Sequence, residues 1–278
     1  VRNKGVLTAG LAMITGAAAW LALTGRADIR YSADHTSTLP MWHRWVPALV
    51  GIALVRLTPP HLPAAAPHGR PDRFETVTLV AAAVTFAVAL RAVGGGEPAH
   101  TLLKIPLLLG VPLVVFAMTR RRAPGLPVAA LAPGVWRHYG PAVPVAAWLA
   151  ISYASPLAVP PDTTAARFDA FTLVATVLVV FLVNAVLEEV FYRRWLQTRL
   201  EATVGPWPAI VVSSLLWAAW HVGIQGTGDL AVDLASAAVN QGMQGLFLGF
   251  LWSRYRMMWP ILTVHGAANA APLLLGLL

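Results

Sequence analysis

Apolar residues run through this chain in long stretches, at 6–23, 45–57, 74–93, 102–118, 142–157, 170–187 and beyond, 207–222, 230–252 and 259–277. A helix needs roughly 20 apolar residues to cross the hydrocarbon core of a bilayer. The pattern therefore predicts an all-α fold, a polytopic transmembrane helix bundle of about eight to nine helices. The second run is short, as a re-entrant or strongly tilted segment would be. Connectors are marked by Pro59-Pro60, Gly94-Gly95-Gly96, Pro124-Gly125, Pro160-Pro161, Gly205-Pro206 and Gly226-Thr227-Gly228. From Ala170 there is no glycine or proline until Gly205. That stretch reads as one long helix with an apolar first half and a basic, aromatic second half. The first run, preceded by Arg2 and Lys4, reads as a membrane helix rather than a signal peptide, because it is long and no clear cleavage site follows. No connector is long enough for a separate soluble domain, and no internal repeat is visible.

Composition supports the membrane class. Of the 278 residues 57% are hydrophobic and 12% charged, with mean hydropathy +0.65; soluble domains carry about twice that charged fraction. Cysteine is absent, which excludes disulfides, thiolate metal sites and a cysteine nucleophile. The net charge of +8 is almost all arginine, Lys4 and Lys104 being the only lysines. These arginines cluster beside apolar runs, which points to topology and anionic lipid rather than nucleic acid.

With the N-terminus cytoplasmic, the inner segments hold 14 basic residues: Arg2, Lys4, Arg56, Arg70, Arg73, Arg120, Arg121, Arg122, Arg137, Arg193, Arg194, Arg199, Arg254 and Arg256. The outer segments hold six: Arg26, Arg30, Arg44, Arg91, Lys104 and Arg167. The bias is strongest after residue 120. Alanine- and arginine-rich, lysine-poor usage suggests a GC-rich bacterial source, hence a bacterial inner (plasma) membrane.

Four polar residues within apolar runs carry the candidate chemistry: Glu188, His221, His265 and Asn269. Ionisable groups at membrane depth are costly and mark functional sites. Adjacent helical residues point about 100° apart, so Glu188 and Glu189 have different neighbours. Glu189 and Arg193 have the i, i+4 spacing of an ion pair, which leaves Glu188 free to face another helix. Asn184 and Tyr192 flank Glu188 one turn either way, and Trp217 precedes His221 by one turn. His265 and Asn269 share a face among small residues that permit close helix approach. At 1.5 Å per residue, Glu188 lies ~18 Å from Leu200, His221 ~21 Å from Trp207 and His265 ~9 Å from Trp259. These depths coincide only if the long helix extends beyond the membrane and its neighbours tilt.

Taken singly, each feature also fits a bland role: helix-end salt bridges for the glutamates, an interfacial histidine for His221, a buried pair joining two helices for His265 and Asn269. Together they suggest water activation, with a carboxylate as general base and imidazole or amide donors for the oxyanion. Histidine ligation of a divalent metal such as zinc, at His221 and His265, stays open, although no H-E-x-x-H motif is present. Ser213, Ser214 and Ser236 lie in no G-x-S-x-G turn.

These residues resemble the motifs of the CPBP (CAAX protease and bacteriocin-processing) intramembrane endopeptidases, also called the type II CAAX prenyl endopeptidase or Abi family. The E-E-x-x-x-R motif is matched by Glu188, Glu189 and Arg193. Trp217 and His221 match F-x-x-x-H, with tryptophan for phenylalanine, and His265 and Asn269 match H-x-x-x-N. The resemblance covers about 170–269. It implies that Glu188 activates water, that His221 and His265 assist, that Asn269 stabilises the oxyanion, and that Glu189 and Arg193 support the site. The expected division is 1–140, transmembrane helices of unassigned role, and 141–278, a catalytic membrane core. The implied substrate is a peptide or protein cut near its C-terminus at the lipid bilayer, with no nucleic-acid partner.

Asn240 and Gln244 share a face and are further candidates for cavity lining, although interhelical hydrogen bonding explains them equally well. Asp229 and Asp233 are expected to be solvated. His35, His43, His61, His68, His100 and His138 fall in expected connectors; His61 and His68 could form a metal-binding loop. Competing readings are a non-catalytic immunity or scaffold protein and a proton- or metal-coupled transporter, the latter usually marked by inverted repeats.

Overall fold

Backbone polar groups within a bilayer have no water to bond, so apolar runs wind into helices that satisfy them internally. The computed structural model describes residues 3–31, 37–58, 73–119, 135–163 and 167–277. Helices account for most of them: α1 (Lys4–Leu23), α2 (Trp42–Leu57), α3 (Arg73–Ala92), α4 (Ala99–Thr119), α5 (Val135–Tyr139), α6 (Ala142–Tyr153), α7 (Ala170–Val204), α8 (Pro206–Gln225), α9 (230–255) and α10 (Met258–Leu275). One small hairpin pairs β1 (Asp28–Arg30) with β2 (Thr38–Pro40), antiparallel, with Ile29 opposite Leu39. Among the described residues, α1, α3, α4, α7 and α8 are long and apolar enough to cross a membrane. The fold is the expected all-α bundle. His35, His61 and His68 lie outside the described residues.

Local signals set the helix ends. Asp169 caps α7 by accepting from the Thr172 N–H, and Asp229 caps α9 by accepting from the N–H groups of Ala231 and Val232. Between α7 and α8, Gly205 takes φ +91°, which a side chain would oppose, and Pro206 then opens α8 at a position needing no N–H donor. At 35 residues, α7 is ~52 Å long against a hydrocarbon core of ~30 Å. It is the long helix that the depth comparison required.

The α8 helix packs on α1, α3, α7 and α9. One apolar core runs from Ile14 and Phe86 through Trp148 and Phe191 to Ile210, Phe247 and Ile261. It joins the first helices to the last. Small residues permit this density: a Cβ on Gly245 would sit 2.7 Å from the Ser214 Cβ and 3.0 Å from its Cα, so α9 and α8 meet almost backbone to backbone.

Two ends of the bundle are defined by their contacts. At one, Arg199 pairs with Glu75 at 2.6 Å, Arg256 pairs with Glu201, and the Tyr255 hydroxyl donates to the Thr58 carbonyl. At the other, Arg26 pairs with Asp229 at 3.2 Å, and the Asp162 N–H donates to the Pro272 carbonyl at 2.7 Å. Three sequence expectations are corrected here. His43, His100 and His138 sit in first turns or short helices, not connectors. Asp233 is buried, accepting from the Thr227 hydroxyl and the N–H groups of Thr227 and Gly228. The 102–118 run begins as a helix at Ala99, which carries Lys104 into the bundle.

Candidate active site

The winding of α7 is irregular around its two glutamates. Phe181–Val186 and Glu189–Gln197 are both wound wide, with i→i+5 bonding, a feature often found at functional sites. Glu188 and Glu189 point to different partners, as the 100° offset anticipated. Glu188 is 1% exposed. Its Oε1 accepts from the Lys104 ammonium at 2.5 Å and its Oε2 from the Trp217 indole N–H at 2.5 Å. Glu189, fully buried, accepts from His265 Nδ1 at 2.8 Å and faces Arg193 Nε at 3.3 Å. That last contact is a charge pairing without hydrogen-bond alignment, since neither atom has a hydrogen-bond partner. Arg193 NH1 donates to the Ser213 hydroxyl at 3.3 Å, and the guanidinium lies 5.2 Å from the Trp217 ring.

The two imidazoles are held by different acceptors. His221 Nδ1 donates to the Trp217 carbonyl at 3.0 Å, and its ring stacks on Trp220 at 3.8 Å. His265 Nδ1 donates to the Glu189 carboxylate, so its Nε2 faces Glu188 Oε2 at 3.9 Å. That separation is too long for direct hydrogen bonding and suits a bridging water. Each ring therefore has Nδ1 fixed and Nε2 unengaged among the described residues.

Glu188, His221, His265 and Asn269 all line one cavity of about 450 Å³. Asn184, Trp217, Asn240 and Gln244 line it too. Tyr192 does not: its ring is fully buried in the core and its hydroxyl has no partner among the described residues. The wide winding from Glu189 onward moves the i+4 position off the face that Glu188 presents.

Charged or titratable residues that the sequence argument assigned to no site include Tyr31, Arg44, Glu97 and His100, which line the cavity, and Lys104, which bonds Glu188 without lining it. Lys104 is the important one. It was counted with the outer connectors, but it is fully buried and bonds both Glu188 and Asn184 Oδ1, the latter at 2.7 Å. The reasoning that singled out Glu188, an ionisable group inside an apolar run, applies equally to Lys104. Glu97, in the α3–α4 connector, accepts from His100 Nδ1 at 2.9 Å. Partial burial raises its carboxyl's pKa, but the His100 and Thr101 hydrogen bonds outweigh that and hold it below the ordinary value.

Among the described residues, no three histidine or acidic groups are placed to hold a metal ion. The Lys104 ammonium already sits against Glu188 Oε1, where a divalent ion would meet its charge. The arrangement does not fit zinc.

Fold and site define a polytopic membrane protein with a polar, charge-bearing cavity among its helices. Residues 170–271 match the family model described as Rce1-like, Type II CAAX prenyl endopeptidase. That segment carries all three motifs, and through it the chain is similar to the CPBP/CAAX intramembrane protease family. No curated protein and no solved structure matches the chain.

Proposed function

We propose that the protein hydrolyses a peptide bond near the C-terminus of a membrane-associated substrate, with water activated by Glu188. What supports the reading is the convergence of Glu188, His221, His265 and Asn269 on one cavity. A carboxylate has about four lone-pair sites. Lys104 and Trp217 occupy two of them, which leaves acceptor capacity for a water in the 3.9 Å gap to His265.

The water gives a proton to Glu188 as its oxygen bonds to the scissile carbonyl carbon. The carbonyl oxygen becomes an oxyanion met by the Asn269 amide N–H, aided by the imidazoles. The C–N bond then breaks, and the departing nitrogen receives the proton that Glu188 took. Water is thereby split between the new carboxylate and the new amine. Lys104 keeps Glu188 ionised and fixed, while Glu189 fixes the tautomer and rotation of His265, as an orienting carboxylate does in hydrolytic triads.

The orientation proposed is an N-terminus in the cytoplasm of a bacterial cell. Removing Lys104 from the outer connectors strengthens the inward bias of basic residues. Part of the cavity lining, Tyr31, Glu97 and Gln225, comes from the connectors after α1 and α3 and the end of α8, at the end away from the arginine-rich connectors. By the positive-inside rule that end is extracytoplasmic, and substrate enters there. The test is co-expression with tagged membrane-anchored candidates, comparing wild type with Glu188→Gln. Loss of a C-terminal fragment only in wild type supports the reading. Identical processing in a folded Glu188→Gln protein overturns it.

A further inference from the structure

The contacts that hold His265 do not end at Glu189. Arg193 faces Glu189 at 3.3 Å and donates to the Ser213 hydroxyl of α8 at 3.3 Å. That hydroxyl is shared between two acceptors, Gln197 Oε1 and the Ile210 carbonyl, each at 3.2 Å. Gln197, on α7, directs its amide N–H groups at Glu201 Oε1 and at the Gly249 carbonyl of α9, each at 2.8 Å. Glu201 pairs in turn with Arg256, at the arginine-rich end of the bundle. Ser213 and Gln197 are fully buried, and Glu201 is buried as well. One residue after Gln197, the Thr198 hydroxyl donates to the Arg193 carbonyl at 3.2 Å and accepts from the Trp252 indole N–H at 3.0 Å. Arg193 is thus held by backbone and side chain within the wide winding of α7. The path from Glu201 to Glu189 covers roughly 18 Å of that helix.

We propose that Gln197 is a positioning residue for His265, acting through Ser213, Arg193 and Glu189. The inference rests on the protease reading for what His265 does. A guanidinium only donates, and a carboxylate or carbonyl only accepts. With its N–H groups on Glu201 and Gly249, Gln197 turns its oxygen to Ser213. The serine hydrogen then points at Gln197 or Ile210, which leaves a lone pair for Arg193. Turning the amide over would set its oxygen against two buried acceptors and leave them unmet, a cost that fixes the order. Donors and acceptors therefore run in one sense from Glu201 to Arg193, and Arg193 faces the carboxylate that holds His265. Gly249 makes room for this: a Cβ there would lie 2.9 Å from Gln197 Oε1 and 3.0 Å from Ile210 Cγ2. Buried hydrogen-bonded networks rigidify the side chains they join, and reacting groups depend on such supporting residues for their placement. His221 lies off the path, since its Nδ1 donates to the Trp217 carbonyl.

The test is NMR of the full chain in nanodiscs with ¹⁵N-labelled histidine, which needs no turnover. It reads the Nδ1–H signals of His265 and His221, assigned by their loss in His265→Gln and His221→Gln. Ser213→Ala removes one hydroxyl, and Gln197→Met removes the amide at nearly the same volume. Each should shift or broaden the His265 signal and leave the His221 signal in place. In a Glu189→Gln background, Gln197→Met should add no further change, because both act on one path. Where wild type cleaves a tagged membrane-anchored candidate, Gln197→Met should lower kcat about tenfold or more with KM little changed, since a misplacement of ~1 Å caused far from the chemistry can cost about 10²-fold. An unmoved His265 signal in folded Ser213→Ala overturns the assignment, and that variant decides if Gln197→Met does not fold. Equal movement of both histidines also overturns it, because that is general loosening. The two readings fail separately. An inert wild type in which Ser213→Ala moves only His265 keeps the positioning path and refutes the protease. An active wild type whose rate and His265 signal ignore both variants keeps the protease and refutes the path.

Discussion

Replacing Lys104 with methionine removes one charge from a buried pair while keeping nearly the same side-chain volume. Both partners are essentially without solvent, and the ammonium donates to Glu188 Oε1 at 2.5 Å and to Asn184 Oδ1 at 2.7 Å. Orphaning one member of such a pair costs about 3–5 kcal/mol, most of it from the unpaired charge left behind. The lost Asn184 bond adds about 1 kcal/mol. Glu188→Gln orphans the ammonium and should cost a similar amount. The double variant buries no unpaired charge, so its cost falls well below the sum of the two. The coupling is expected to reach at least about 2 kcal/mol. Equilibrium unfolding in mixed micelles, with all four proteins in the same detergent, measures it. Single-variant costs that add within ~0.5 kcal/mol would refute the pairing, and with it the claim that Lys104 holds Glu188 in place.

Other expectations follow from the same geometry. Glu189→Gln leaves His265 without its charged acceptor at Nδ1; cleavage should fall by at least about tenfold with KM little changed, and an unchanged rate would remove Glu189's orienting role. Gly245→Ala forces a Cβ against Ser214 and should destabilise by about 1–3 kcal/mol, read in the same micelle titration; a neutral result would mean that α8 and α9 are not so close. The Asp169 and Asp229 carboxyls lie below the ordinary range, chiefly through the Thr172 hydroxyl and the Val232 N–H respectively. A depressed folded-state pKa contributes stability above the unfolded value of about 3.9, lost as pH falls through the folded value. Hydrogen exchange at the first turns of α7 and α9 should therefore quicken only in acid, and Asp169→Ala should remove the dependence in α7.

Most of the bundle was legible because apolar runs in a bilayer have one solution. The long α7 was visible in its lack of glycine and proline, and the break at Gly205-Pro206 in its own residues. Helical phase alone separated Glu188 from Glu189 and paired Glu189 with Arg193. It could not give the partners of Glu188, because Lys104 is 84 residues away in sequence and only tertiary packing joins them. Tyr192 was misplaced for a local reason: equal α-helical spacing fails where α7 winds wide. Asp233 looked solvated because a carboxylate near a connector usually is; three donors from Thr227 and Gly228 make its burial affordable. Arg44 was hidden at the edge of a run, counted as topology when its neighbours make it part of the cavity wall.

The most direct trial of Glu188 as the activating base is cleavage by the purified full chain in H₂¹⁸O, with mass spectrometry of the released fragments. Wild type should place one ¹⁸O in the new carboxylate, and Glu188→Gln should slow that reaction by about 10²–10⁴-fold while remaining folded. Cleavage that persists at the wild-type rate in folded Glu188→Gln would contradict the role assigned to that carboxylate.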